Sequence, residues 1–373
     1  AKSFVKWLRN TTGHDAPTIA VGMDCRLSGE RIKSAFVDGA VEVGAHVVDC
    51  GLASTPAMFM TTISEQVKAQ ASVMVTASHL PFNRNGLKFF TPKGGLDSKD
   101  IAAILDIAAK GDYAFDGAAC SSATFDFMSV YSRHLADYIC AGVNADDYLH
   151  PLSGMHIIVD AGNGNGGFFQ GILRSLGADT EGSQFLEPDG HFPNHIPNPE
   201  NPEAMASVCK AVERSHADLG VIFDTDVDRS AIIGLNGEPI NRNSLIALIS
   251  AVILEEHSGS TVVTDSVTSD GLAEFIKEKG GKHHRFRRGY KNVINEGIRL
   301  NEAGEECWLA IETSGHAALR ENHFLDDGAY LAAKLIVYAA KLNKQGKQLH
   351  DIISTLKQPK ESKEIRIKLT EPD

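Results

Sequence analysis

Short apolar runs recur along this chain, and each ends in a small polar turn followed by residues at helical spacing. TIAVGMD (18–24) stops at an acidic residue. SGERIKSAFVDGAVEVG (28–44) then sets Ile32, Phe36, Val37, Ala40 and Val41 on one helical face, with Gly44 as a stop. AHVVDCG (45–51), the helix-like STPAMFMTTISEQ (54–66) and ASVMVTAS (71–78) follow as strand, helix and strand. A βαβαβ order leaves few solutions, because parallel neighbours need crossovers that cover the sheet with helices. The fold class is α/β, with mostly parallel or mixed sheets.

The pattern restarts twice. MHIIVDAGNGNGG (155–167) runs from a strand into a glycine turn and on to the helix-like GFFQGILRSLG. A loop with five prolines, EPDGHFPNHIPNPENPE (187–203), separates it from DLGVIFDTDVDRS (218–230). STVVTDSVTSDGLAEFIKEKG (260–280) opens a third unit, and WLAIETSGH (308–316) ends another strand before the helix-like DDGAYLAAKLIVYAAKLNK. A chain of 373 residues suits several domains at roughly 100–200 residues each. The expected units are 1–149, 150–257 and 258–358, arranged around a central cleft. SKEIRIKLTEPD, within 359–373, reads as the first strand of a truncated fourth unit. No exact sequence repeat is present, so any repetition is architectural.

A net charge of −12 argues against a nucleic-acid partner. Local basic excess is confined to Lys277, Lys279 and Lys282 and to Arg285, Arg287 and Arg288. Six scattered cysteines with no CxxC pair indicate free thiols in a reducing compartment. No apolar run approaches the roughly 18–20 residues of a membrane span, and no signal peptide is visible. The expected location is cytoplasmic, or an organelle stroma if a targeting segment has been removed, and the expected state is a monomer.

DTDVDR (224–229) is the sharpest chemical feature. Asp224, Asp226 and Asp228 alternate with Thr225 and Val227 at the end of the apolar VIF. Three carboxylates this close repel unless a cation neutralises them, and hard oxygen ligands suit Mg²⁺. Arg229 has the planar donor fork of a phosphate clamp or of an ion pair within the loop. In ETSGH (312–316), Glu312 and Ser314 are spaced to face one ligand such as vicinal sugar hydroxyls, and His316 is a candidate acid/base. Ser78, in TASHLP (76–81), follows another apolar strand, and Lys88 of NGLK lies ten residues on. Gly162, Gly164 and Gly167 match a dinucleotide-type G-x-G-x-x-G, but no acidic strand end follows at the proper distance, so a tight strand-to-helix turn is the plainer reading.

Together these stretches resemble the α-D-phosphohexomutase superfamily, which includes phosphoglucomutase, phosphomannomutase and phosphoglucosamine mutase. TASHLP with NGLK resembles its phosphoserine loop, DTDVDR its metal loop, and RRGYKNV (287–293) and ETSGH its third-domain loops, the last selecting the sugar. The resemblance implies interconversion of hexose 1-phosphate and hexose 6-phosphate, of glucose or mannose. Ser78 would carry the phosphoryl group and also face the metal. Asp224, Asp226 and Asp228 would hold Mg²⁺, and hexose 1,6-bisphosphate would serve as activator. Glu312, Ser314, Lys291 and His79 would bind the phosphosugar, while Lys88, His316 and Arg229 would assist transfer. Two departures stand out: Thr225 and Val227 occupy positions where the family has glycine or alanine, and the chain is expected to lack both the family's extreme N-terminal segment and its fourth domain. The alternatives are a phosphoglucosamine mutase, a non-catalytic mutase-like protein in a larger assembly, and a haloacid-dehalogenase-type phosphatase with Asp224 as nucleophile.

Overall fold

The computed structural model describes residues 1–361 and residue 363. The strand expected in SKEIRIKLTEPD lies outside the described residues, apart from Lys363. In the first unit, α1 (Lys2–Thr12) leads into β1 (Thr18–Met23), α2 (Gly29–Glu42), β2 (His46–Leu52), α3 (Thr55–Met60), β3 (Ala71–Val75), β4 (Leu87–Thr91), β5 (Gly94–Gly95), α4 (Ser98–Lys110) and β6 (Ser122–Thr124). Its sheet runs β5-β4-β3-β1-β2-β6. After α5 (Phe127–Val143), the second unit holds β7 (Ile157–Asp160), α6 (Phe168–Ser175), α7 (Pro202–Ser215), β8 (Leu219–Phe223), β9 (Ser230–Ile233) and β10 (Pro239–Ile240), ordered β10-β9-β8-β7. The third holds α8 (Asn243–Glu256), β11 (Thr261–Thr264), α9 (Asp270–Glu278), β12 (Lys282–Arg285), α10 (Tyr290–Glu302), β13 (Cys307–Ile311), β14 (Ala317–Leu319) and β15 (Leu325–Asp326), ordered β12-β11-β13-β14-β15. Helices α11 (Gly328–Asn343) and α12 (Leu349–Ile352) follow.

The sheets are mixed, and they share one plan. In each, two parallel strands are followed by an antiparallel return: β3 to β4, β8 to β9, and β13 to β14. TASHLP, DTDVDR and ETSGH are the links at those three returns, at the carboxyl ends of equivalent strands, where open α/β sheets place their ligands. The repetition is therefore architectural.

One apolar core runs through all three units, with Met74 and Phe90, Val221 and Phe223, and Leu309 and Ile311 facing it from the three sheets. Helices α5 and α11 pack against each other within it. Helix α8 is buried on every side from Leu245 to Leu254, as expected of a helix apolar all round. It precedes residue 258, yet it packs on α9 and β13 and so belongs with the third sheet. Each fully buried Leu or Ile there contributes about 1.5–3 kcal/mol. STPAMFMTTISEQ is shorter as a helix than its spacing implies: α3 stops at Met60. The proline-rich loop ends where Asn201 caps α7, its Oδ1 accepting from the Glu203 and Ala204 N–H groups. No helix among the described residues is long and apolar enough to cross a membrane, and all six cysteines are free.

Candidate active site

The three return loops meet. The aspartate loop is the innermost: Asp224, Asp226, Asp228 and Arg229 are each at most 1% exposed. Arg229 donates from Nε to Asp224 Oδ2 at 3.0 Å and from its backbone N–H to Asp224 Oδ1 at 3.2 Å. Its Nη1 reaches Asn198 of the proline-rich loop at 3.3 Å. Lys88 donates to Asp226 Oδ2 at 2.8 Å and to Asp228 Oδ2 at 2.6 Å. The Thr55 hydroxyl donates to Asp226 Oδ2 at 2.5 Å. Asp226 Oδ1 and Asp228 Oδ1 are buried and have no hydrogen-bond partner among the described residues.

Two anchored carboxylates that each keep one free buried oxygen, with Asp224 beside them, form the set of hard donors that a divalent cation such as Mg²⁺ takes. Ligand atoms of the three aspartates lie within 4.8 Å of one another. Burial, then the charge of Asp228, push the Asp224 carboxyl well above the usual carboxylate range. Burial opposes the charge on Lys88, but Asp226 and Asp228 outweigh it and hold the ammonium well above its ordinary range.

The serine loop reaches this cluster from the first unit. Ser78 Oγ lies 3.3 Å from Asp224 Oδ2, across 146 residues of chain, and 3.3 Å from His79 Nδ1. Ser78 adopts φ 50°, in the left-handed region. A buried pair below the loop, Asp24 and Arg26, holds it there. Asp24 Oδ2 accepts from Arg26 Nε at 3.0 Å and from the Thr76 hydroxyl at 2.7 Å. The Arg26 fork donates to the carbonyls of Pro81 at 2.6 Å, Leu80 at 2.7 Å and Arg84 at 3.2 Å, and also to that of Ser78. Burial, then Arg229, lower the His79 pKa to about 4.

The third loop closes the site. Gly289 of RRGYKNV donates its N–H to Glu312 Oε1 at 2.6 Å, and the Ser314 hydroxyl donates to Glu312 Oε2 at 3.2 Å. His316 Nδ1 lies 2.9 Å from Ser314 Oγ, and its Nε2 lies 3.6 Å from Asp228 Oδ1. Tyr290 stacks on the His316 ring at 5.1 Å. Burial lowers the His316 pKa to about 3, so the ring is neutral. Asp326, at the end of β15, has a ligand atom within 4.8 Å of Asp228 and His316.

Ser78, His79, Lys88, the three aspartates, Arg229, Glu312, Ser314 and His316 thus converge. Lys291 does not join them. It lies in the first turn of α10 and binds the first unit, at 2.8 Å from the Gly95 carbonyl and 2.8 Å from Asp97 Oδ1, with a further bond to the Leu96 carbonyl. The glycines of DAGNGNGG serve backbone packing. A Cβ on Gly164 would stand 2.9 Å from the Thr225 Cα and carbonyl oxygen, and one on Gly167 would collide with the Leu186 carbonyl. Asp24, Arg26, Thr55 and Asp326 escape a sequence reading. Asp24 alone had a signal, as the acidic end of TIAVGMD.

Comparison with known proteins agrees with this geometry. Phosphoglucomutase/phosphomannomutase α/β/α domains I, II and III match residues 1–114, 130–237 and 241–358. A phosphoglucomutase of Neisseria gonorrhoeae is 30% identical over 355 residues, covering 95% of this chain and 72% of its own. A phosphomannomutase/phosphoglucomutase of Pseudomonas aeruginosa is 28% identical over 372 residues, covering 98% and 75%. Among solved structures, a phosphoglucomutase/phosphomannomutase family protein of Burkholderia thailandensis superposes with a TM-score of 0.80 at 25% identity, over 96% of this chain and 74% of its own. The three shared domains, matched in order over nearly the whole chain, establish that it belongs to the phosphoglucomutase/phosphomannomutase family of phosphohexomutases.

Proposed function

We propose that this chain interconverts the 1- and 6-phosphates of a hexose, glucose or mannose, through a phosphoserine at Ser78 and a bisphosphorylated sugar intermediate. The observation that carries the reading is the Ser78 hydroxyl at 3.3 Å from Asp224, beside two buried carboxylate oxygens without partners. Asp224, Asp226 and Asp228 would hold Mg²⁺. Bound there, Mg²⁺ supplies counter-charge and Lewis acidity to the phosphoryl oxygens.

The chain's own residues position the rest. Glu312 and Ser314 accept and donate hydrogen bonds to sugar hydroxyls, and His79 faces the phosphoryl group from beside Ser78. In the forward half-reaction the Ser78 Oγ–P bond breaks as a sugar hydroxyl oxygen bonds to phosphorus. The hydroxyl proton passes to neutral His316, and Lys88 returns a proton to the serine oxygen. The bisphosphate then turns over in the cleft, and the other phosphoryl group returns to Ser78 by the reverse transfers. Hexose 1,6-bisphosphate recharges a dephosphorylated Ser78, which makes it an activator.

Intact mass and peptide mapping after incubation with glucose 1,6-bisphosphate and Mg²⁺ test this. One phosphoryl group on the peptide containing Ser78 is expected. Phosphate on Asp224, or none at all, would sink the reading.

A further inference from the structure

We propose that Thr55, in the unit that carries the nucleophile, is a positioning residue for the cation held by the aspartate loop of the second unit. This rests on the reading of Asp224, Asp226 and Asp228 as metal ligands. Thr55 grips Asp226 twice. Its hydroxyl donates to Oδ2 at 2.5 Å, and its backbone N–H donates to the Asp226 carbonyl at 2.9 Å. Thr55 is 1% exposed, so water does not compete for either bond.

The threonine is itself held firmly. It is the first residue of α3, with Ser54 as the cap that accepts from the Ala57 N–H at 3.2 Å and Pro56 fixing the backbone after it. The consequence falls on the carboxylate. With Oδ2 occupied by Thr55 and Lys88, Asp226 cannot rotate freely, and Oδ1 is the oxygen left open. Lys88 is a charged, partly exposed group on the reaction side, whereas the threonine hydroxyl is neutral and buried.

The joint is reinforced from the second unit. Asn165 donates from Nδ2 to the Ala53 carbonyl at 2.6 Å and the Met23 carbonyl at 3.2 Å, and its N–H donates to the Thr225 carbonyl at 2.8 Å. The end of the first sheet and the aspartate loop are thereby fixed to one another. Thr55 thus ties the register of the metal ligands to the unit that presents Ser78.

Hydrogen-bond donors behind a metal ligand orient it, and their loss typically weakens metal binding about 10–100-fold. The test uses the full chain and Mn²⁺ alone, with bound and free ion counted by electron paramagnetic resonance and thermal unfolding followed with and without the ion. Thr55→Val, which keeps shape and backbone but removes the hydroxyl, should weaken Mn²⁺ binding about 10-fold or more. It should also lose most of the Mn²⁺-induced thermal shift. Thr55→Ser, which keeps the hydroxyl, should bind as the parent does. Asp226→Asn is the control for the site: if it binds Mn²⁺ like the parent, the metal-site reading fails. If that control loses the ion while Thr55→Val binds it normally, the role of Thr55 alone is overturned. Equal weakening in Thr55→Val and Thr55→Ser would overturn it too, by assigning the effect to packing.

Discussion

The serine loop and the aspartate loop sit at equivalent returns of equivalent sheets, yet they are held in opposite ways. The aspartate loop is inside the molecule, and all three units bear on it. Thr55 grips it from the first, Asn165 from the second, and the Gly328 N–H donates to the Val227 carbonyl from the third. The serine loop is a rim. Residues 79–84 are exposed, and a single buried guanidinium collects its carbonyls from beneath. The difference matches what the two proposed roles require. A site for a cation among like charges gains from burial and rigid oxygens. A phosphorylated nucleophile needs a defined position and room for a sugar to turn over beside it. Chemistry on the rim and support in the core should therefore separate cleanly under mutation.

The largest effect expected is on chemistry alone. Ser78→Ala should abolish phosphorylation and cut turnover by more than about 10³-fold. Unfolding free energy should move by no more than about 0.5 kcal/mol, because a half-buried rim side chain supports little. Parallel urea unfolding and mutase assays read both quantities. Turnover near that of the parent would remove the phosphoserine mechanism.

Arg26→Ala should break the comparison from below. It leaves the Asp24 carboxylate buried without its partner and strips donors from four loop carbonyls. The expected cost is about 3–5 kcal/mol by urea unfolding, with turnover lost as well. Arg26→Lys keeps the charge but not the fork and should fall between. If Arg26→Ala were neutral, the loop would be held by something other than this guanidinium.

These supports mark the boundary of what the sequence made legible. The three loops could be read because each ends an apolar run with a distinctive local pattern, and alternation within DTDVDR implies convergence without any partner. Supports do not announce themselves in this way. Thr55 meets Asp226 across 171 residues and Arg26 meets Pro81 across 55, so neither contact leaves a local trace. Lys291 shows the converse: a lysine beside a promising motif gives no sign of which way it faces, and it faces the first unit. The glycines of DAGNGNGG satisfy a nucleotide-binding pattern on paper, but their smallness lets the Thr225 and Leu186 backbones approach.

A weaker effect should appear through pH. The proline-rich loop, whose Asn198 accepts from Arg229, is tied to β7 by His195, with Nε2 at 3.0 Å from Asp160 Oδ1. Burial opposes the imidazolium, but the Asp160 carboxylate wins and raises the His195 pKa. A group whose pKa is higher folded than unfolded stabilises fully below its unfolded value, about 6.5 for histidine. That contribution disappears as pH rises through the raised folded value. The parent should therefore lose stability from about pH 6.5 upward, and His195→Gln should flatten that slope. A slope unchanged by the substitution would assign the pH dependence elsewhere.

The smallest net effect is expected at Val227, and it is the one that best separates burial from strain. Val227 is fully buried inside the aspartate loop, but its φ of 67° is left-handed, where a β-branched residue is out of place. That conformation costs an L-residue about 1–2 kcal/mol, while burial of a valine returns about 1.5–3 kcal/mol. Val227→Gly loses the second and escapes the first, so the two largely offset and stability should fall by no more than about 2 kcal/mol. Val221, equally buried in β8 and without a left-handed backbone, is the reference. Val221→Gly loses burial with no strain to relieve and should cost at least about 1–2 kcal/mol more than Val227→Gly. Equal costs at the two valines would mean that the loop carries no strain at Val227. A clear difference would mean that the rigidity of the aspartate loop is bought against its own backbone, with the three surrounding units holding the residue where it would not otherwise stay.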